Sequence, residues 1–265
     1  MEMCNMDRML ENIKDIVMEA GALFCNRSAA AEIKKKGRAD YVTTVDMSVQ
    51  QLIQNKLTAL YPHIQFMSEE QDNRTIDKDG LFWVLDPVDG TTNLIHDYQA
   101  SAISLALIKQ RQIILGTIYH PYLHEMYTAI KGKGSFLNGK RIFVSNVECL
   151  EDSLIAIGTS PYYKEMAKGN FDIFQRLYCD VQDIRRSGSA AIDMAYVACG
   201  RLEGYFERKL KLWDYAAGTL LIREAGGSVR TYSEDEIGVD NVADVVCGNK
   251  KIVNKLFSYL HFTEE

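Results

Sequence analysis

The chain has 265 residues, 47% of them hydrophobic and 25% charged, enough apolar material for one large globular domain or two closely packed halves. That composition excludes a disordered, fibrous or repeat protein, and a net charge of −6 argues against a general nucleic-acid binder, whose grip on phosphate backbones needs clustered Lys and Arg. No apolar run reaches membrane-spanning length, and the amino terminus lacks a basic segment followed by a continuous apolar stretch.

Leu10, Ile13, Val17, Ala20 and Phe24 recur at helical spacing and predict an amphipathic helix ending near Asn26. Lys34 to Asp40 reads as a polar loop. Ser48 is placed to cap a second helix that carries Leu52, Ile53, Leu57 and Leu60 and stops at Tyr61-Pro62. A short strand at Gln65 to Met67 leads into Ser68-Glu69-Glu70. The run Leu81-Phe82-Trp83-Val84-Leu85 reads as a buried strand, and it delivers Asp86-Pro87-Val88-Asp89-Gly90-Thr91-Thr92-Asn93 at its end. Asp89-Gly90 is a common turn dipeptide, but a turn does not explain two acids against a strand of Leu, Phe, Trp and Val, where unpaired charge is costly. A bound cation resolves that cost.

Ala102 to Lys109, Ile113 to Tyr119 and Glu125 to Ile130 predict an antiparallel meander, with one more short strand at Ile142 to Val144. From Ser153 the order alternates: a strand at Leu154 to Ile157, a helix near Phe171 to Tyr178, a strand near Val181 to Ile184 and a helix from Ser189 to Cys199. Asp214 sits where an N-cap belongs, ahead of a helix ended by Gly226-Gly227, and a strand at Val245-Val246 precedes a closing helix from Asn249 to Leu260. Residues 1–145 form an expected α+β half with a large mixed or antiparallel sheet, and residues 146–265 an α/β half that completes the substrate pocket. Six cysteines, at 4, 25, 149, 179, 199 and 247, show no CxxC pair, so neither a zinc site nor a redox motif is signalled and a reducing, cytoplasmic setting is expected.

Asp40 to Asp46, Ser68-Glu69-Glu70, Trp83 to Asn93, Gly116 to Gly139, Arg186 to Ala191 and Trp213-Asp214 to Gly227 together resemble the inositol monophosphatase family of Mg²⁺-dependent phosphomonoesterases, over nearly the whole length. Leu94 stands where an aromatic residue is usual, and Gln71 follows Glu70; neither departure removes a ligand. The resemblance implies a layered α-β-α-β-α sandwich of the sugar phosphatase type and a cytoplasmic homodimer, with Gly116 to Gly139 as part of the interface. It also implies lithium sensitivity and a small phosphorylated substrate. Neither a nucleic-acid nor a membrane partner is expected.

Carried over position by position, the resemblance gives two or three Mg²⁺ ions held by Glu69, Asp86, the Val88 carbonyl, Asp89 and Asp214. These are hard oxygen donors, with no sulfur or imidazole among them. Thr91 and Asp46, with Glu69, form the expected catalytic set. Gly90 and Thr91 present backbone N–H groups to the phosphate. Gly188, Ser189, Ala190, Glu207 and Asp214 line the alcohol side, and Lys35, or Lys36 in the alternative register, is the basic residue beside the metals. Glu207 read alone is equally a solvent-facing acid at a strand end. The expected reaction is hydrolysis of inositol monophosphate or a related sugar or polyol phosphate. The 2′-phosphate of NADP and fructose 1,6-bisphosphate are alternative substrates, and a regulatory binding role is a further reading.

Overall fold

The computed structural model describes residues 3–26, 30, 32–37 and 40–261, with side chains at 6–26, 30, 32–34 and 41–261. Helix α1 (Met3–Gly21) buries Met9, Ile13, Val17 and Ala20 on one face, as its 3.6-residue periodicity requires, and runs into a 3₁₀ turn (Ala22–Cys25) that buries Phe24. The stretch expected as a loop from Lys34 to Asp40 instead contributes to two antiparallel strands, β1 (Ile33–Gly37) and β2 (Asp40–Thr43), with Lys35 opposite Tyr41. Main-chain pairing there satisfies donors and acceptors that the polar side chains leave open. Residues 38 and 39 lie outside the described residues.

Helix α2 (Thr44–Leu60) is capped by Thr43 rather than Ser48. The Thr43 hydroxyl accepts from the Val45 amide (3.2 Å), and Asp46 accepts from the Thr43 amide (2.8 Å), a reciprocal cap. Ser48 lies one turn inside and donates to the Thr44 carbonyl at 2.7 Å.

The large sheet holds β3 (Gln65–Ser68), β4 (Leu81–Asp89), β5 (Ala102–Lys109), β6 (Gln112–His120), β7 (Glu125–Ile130), β8 (Gly134–Leu137) and β9 (Lys140–Ile142), in chain order. It is mixed: β3 runs parallel to β4 and every later pair is antiparallel. A short helix, α3 (Thr91–Ile95), sits between β4 and β5. The strand expected at Ile142 to Val144 ends earlier, because the Val144 amide is diverted to the Ala225 carbonyl (3.2 Å).

The second sheet has the order β11-β10-β12-β14-β13. Its strands are β10 (Leu154–Ile157), β11 (Asp183–Arg185), β12 (Gly204–Lys211), β13 (Ser228–Thr231) and β14 (Val242–Gly248). Strand β11 begins later than the sequence predicts, since the Val181 amide bonds Leu177 and the Gln182 amide bonds Ser153. Strand β13 carries no sequence prediction at all. The remaining helices are α4 (Ala167–Tyr178), α5 (Ala190–Ala198), α6 (Leu212–Glu224) and α7 (Lys250–Leu260).

Three apolar cores make five layers. Trp83, Leu85, Leu105 and Leu115 pack against α1 and α2, while Phe82, Val84, Ala106 and Ile118 on the other face meet α5 and α6. Those two helices also cover Tyr205, Val245 and Cys247 of the second sheet, whose far face packs Ile155, Phe206 and Val246 against α4 and α7. The small residues at the start of α6 permit its close seat: a Cβ on Gly116 of β6 would stand 2.9 Å from the Ala217 carbonyl. The fold is the expected α-β-α-β-α sandwich.

Candidate active site

Side chains alternate along β4 up to Leu85, so strict alternation sends Asp86 and Asp89 to opposite faces of the sheet. The pairing with β5 prevents this. Asp86 lies opposite Ser104 and Asp89 opposite Ala102, three steps on one strand against two on the other, which is a one-residue bulge. Both carboxylates consequently line a single cavity of about 850 Å³, with Glu69 at the end of β3 and Asp214 on α6. Ser104 ties the layers together there, its hydroxyl donating to the Trp213 carbonyl at 3.0 Å. Asp214 is the third residue of α6 rather than its N-cap, and it accepts from the Lys211 amide at 2.7 Å.

Burial pushes the carboxyls of Asp86 and Asp214 well above the ordinary range, and repulsion from the neighbouring acids adds to it. Asp89, 9% exposed, is raised by burial from its ordinary 3.8 to about 6, against the pull of the Ser189 hydroxyl and the Ala191 amide, each 2.6 Å from Oδ2. Among the described residues no Lys or Arg forms an ion pair with Asp86, Asp89 or Asp214. Buried carboxyls without a cation fit a hard divalent ion, and an all-oxygen donor set fits Mg²⁺. Among the described residues no three such side chains are already drawn into a closed metal cage, consistent with acids that repel one another.

Thr91 opens α3, one residue past Gly90, which sits at φ +93°. Its hydroxyl lies 2.9 Å from Asp46 Oδ1 and 3.1 Å from the Val88 carbonyl, two acceptors for one proton. Asp46 is buried, and its Oδ2 also accepts from the Thr43 amide and hydroxyl (2.8 and 2.5 Å); burial raises its pKa despite these three donors. With its proton given to Asp46, the Thr91 oxygen can accept a hydrogen bond from a water. The cap of α2 thus fixes one of the expected catalytic acids.

The opposite wall comes from the second sheet and α5. Ser189 caps α5, and Gly188, Ser189 and Ala190 line the cavity. Glu207 on β12 accepts from the Ser160 amide through Oε1 (2.8 Å) and from the Tyr205 hydroxyl through Oε2 (2.7 Å); burial raises its pKa against both bonds. A Cβ on Gly158 would fall 1.9 Å from Glu207 Cδ, so that glycine makes room for the carboxylate. Sequence reading misses Asp193, one turn into α5: it is 3% exposed, lines the same cavity, and burial drives its pKa well up. The signal was available, since an acid among Ala190-Ala191-Ile192 and Met194-Ala195 interrupts an otherwise apolar helix. Lys35 lies on β1, but its side chain, like that of Lys36, falls outside the described residues.

A single domain description, "Inositol monophosphatase family", matches residues 5–264. The chain belongs to the inositol monophosphatase family. It is 39% identical over 273 aligned positions to an inositol monophosphatase of Dictyostelium discoideum, covering 98% of this chain and 97% of that one. It is 36% identical over 232 positions to the Nus factor SuhB of Escherichia coli, covering 86% and 85%. The crystal structure of the extragenic suppressor protein suhB from Bartonella henselae superposes with a TM-score of 0.89 at 33% identity, covering 97% of this chain and 100% of that chain. As an inositol monophosphatase family member the chain is a phosphatase, and the bulged β4 cavity holds the carboxyls that its motifs deliver. No helix among the described residues is long and apolar enough to cross a membrane.

Proposed function

We propose that this phosphatase is a Mg²⁺-dependent phosphomonoesterase that releases inorganic phosphate from inositol monophosphate or a related sugar or polyol phosphate. The observation that carries the reading is one cavity with Asp86, Asp89 and Asp214, which no described Lys or Arg pairs, on one wall and a hydrogen-bonded carboxylate, Glu207, on the other. Two or three Mg²⁺ ions held by Glu69, Asp86, the Val88 carbonyl, Asp89 and Asp214 supply, when bound, charge for the phosphate oxygens and a lowered pKa for water.

The chain's own residues do the rest. Gly90 and Thr91 offer main-chain N–H groups to the phosphate. The Thr91 hydroxyl donates to Asp46 and accepts from the attacking water, so the water lone pair is turned to phosphorus and its proton has a route through Thr91 to Asp46. The new O–P bond forms as the ester P–O bond breaks, and the departing alkoxide takes a proton from a solvent water to become the alcohol, while the proton held at Asp46 returns to solvent. Glu207 keeps a lone pair on each oxygen for substrate hydroxyls, and so rejects analogues that lack them. Lys35, whose side chain lies outside the described residues, is the basic residue that the family resemblance assigns to this site. We also read the enzyme as a cytoplasmic, lithium-sensitive homodimer in which residues 1–145 and 146–265 form two halves, with no nucleic-acid or membrane partner.

A second substrate reading is favoured by the outer cavity, which Tyr162, Tyr163, Lys164 and Arg186 also line. Arg186 hydrogen-bonds the Thr159 hydroxyl (3.2 Å), and its five-donor fork has capacity for another anionic group, as in fructose 1,6-bisphosphate or the nucleotide end of NADP. Likeness to a Nus factor supports a regulatory role beside catalysis. The test is phosphate release from inositol 1-phosphate, fructose 1,6-bisphosphate, NADP and 3′-phosphoadenosine 5′-phosphate, with Mg²⁺ or EDTA. Turnover that needs Mg²⁺ and fails in Asp89→Asn supports the reading and ranks the substrates; no turnover on any ester defeats it.

A further inference from the structure

One neutral side chain joins the two walls of the cavity. Asn93 on α3 is 7% exposed, and its Nδ2 donates to the Ala100 carbonyl at 2.6 Å and to the Ser187 carbonyl at 2.9 Å. Ala100 follows α3 on the metal-side wall, whereas Ser187 lies in the turn that leads into α5 on the alcohol-side wall. Both amide hydrogens are thereby used, one on each wall.

Two glycines in the left-handed region meet at this amide. Gly188 has φ +89°, and a Cβ there would stand 3.0 Å from both Nδ2 and Oδ1 of Asn93. Gly90 has φ +93°, and a Cβ there would stand 3.0 Å from the Ala100 carbonyl, 3.3 Å from Asn93 Nδ2 and 3.3 Å from the Gly188 carbonyl. The two turns therefore approach as closely as backbone allows, with the carboxamide setting their spacing.

A second tie spans the same elements, from Asp89 Oδ2 to the Ser189 hydroxyl and the Ala191 amide. Asp89 is an acid in the same cavity as Asp86 and Asp214, whereas the Asn93 tie is made by a neutral amide. Asn93 carries no charge and has no titrating proton, so its two bonds do not depend on the protonation of the acids in the cavity.

We propose that Asn93 is a positioning residue that aligns the phosphate turn at Gly90 with the alcohol wall at Gly188 and Ser189. In that role it determines the preference for polyol esters over esters whose alcohol makes no contact with that wall. The proposal rests on the phosphatase reading above. An isosteric Asp at this position would put a carboxylate oxygen where Nδ2 now donates to both carbonyls, and so release the Ser187 turn.

The test uses the full chain as wild type, Asn93→Asp and Asn93→Ser, with myo-inositol 1-phosphate and p-nitrophenyl phosphate as paired substrates. Mg²⁺ affinity is followed by calorimetry and folding by circular dichroism. Asn93→Asp is expected to lower kcat/KM for the inositol ester about 100-fold, as displacement of a reacting group by an ångström can do, and to cost less than about tenfold on p-nitrophenyl phosphate. Mg²⁺ affinity should stay unchanged. Asn93→Ser, which keeps one donor, should lie between, and it reads the same ratio if the Asp variant does not fold. Equal losses on both esters, or an unchanged ratio, overturn the proposal. Absence of Mg²⁺-dependent turnover in the wild type defeats the functional reading instead, and is distinguished by that control.

Discussion

The two sheets each bulge beside a carboxylate of the cavity, and the two bulges serve opposite electrostatic ends. On β4 the extra residue falls between Asp86 and Asp89 and gathers acids that no described cation balances. On β12 the register against β14 shifts between Glu207 and Leu210, again three steps against two, and the acid there is already held by Tyr205 and Ser160. The first arrangement stores repulsion that an ion relieves; the second fixes the direction of a hydrogen-bond acceptor. On the proposed reading, chemistry belongs to the first bulge and recognition to the second, and substitutions should divide the same way.

The largest effect is expected on the β4 side. Asp86→Asn should lower turnover by at least about 100-fold and abolish the response to Mg²⁺. The same variant should melt at a higher temperature than wild type in EDTA, because it removes a buried, repelled charge. A lower melting temperature in EDTA would break the contrast drawn between the two bulges. Thr91→Val keeps the shape of the side chain but loses the hydroxyl that bonds Asp46 and that the proposed mechanism uses to orient water. Its kcat should fall about 100-fold or more while Mg²⁺ binding by calorimetry is retained.

Glu207→Gln probes the recognition side and should act more gently. KM for inositol 1-phosphate is expected to rise about tenfold, the value of one hydrogen bond to a charged acceptor, with p-nitrophenyl phosphate nearly unaffected. Equal losses on both esters would move Glu207 from recognition into the chemistry.

The remaining effect is on stability and leaves turnover aside. Asp89 has a folded pKa of about 6 against an ordinary 3.8, so between these values the native state holds more protons than the unfolded chain. Stability of the metal-free protein should then fall as pH rises from about 4 to 6 and level off above, by on the order of 3 kcal/mol from this group. Asp46, Asp86, Asp214 and Glu207, also raised, extend the same trend. Mg²⁺ competes with those protons, so it should raise the melting temperature more at pH 7.5 than at pH 5. Melting curves with Mg²⁺ and with EDTA at both pH values measure this, and an equal rise at both would contradict it.

Much of the molecule was legible without coordinates, because the relevant signals are local. The period of α1, the meander from Ala102 to Ile130, and Gly226-Gly227 after α6 each depend on neighbours within a few residues. So does the motif from Asp86 to Asn93, whose chemistry is contained in its residue types. Errors had two sources: at α2 a nearer local cap, Thr43 with Asp46, outcompeted Ser48, and at β9 a distant partner, Ala225, drew Val144 out of the strand.

What the sequence by itself determined is the inventory: hard oxygen donors, glycine turns, and helices and strands in an order that makes a layered sandwich. Tertiary structure alone decided where those groups point. Two acids three residues apart on a strand belong to opposite faces until a neighbouring strand imposes a bulge. The bulge is set by the hydrogen-bond register with β5, which no property of Asp86 or Asp89 encodes. The same holds for Asn93, whose two acceptors, Ala100 and Ser187, are separated in the chain by strands β5 to β11 and meet only when the layers close.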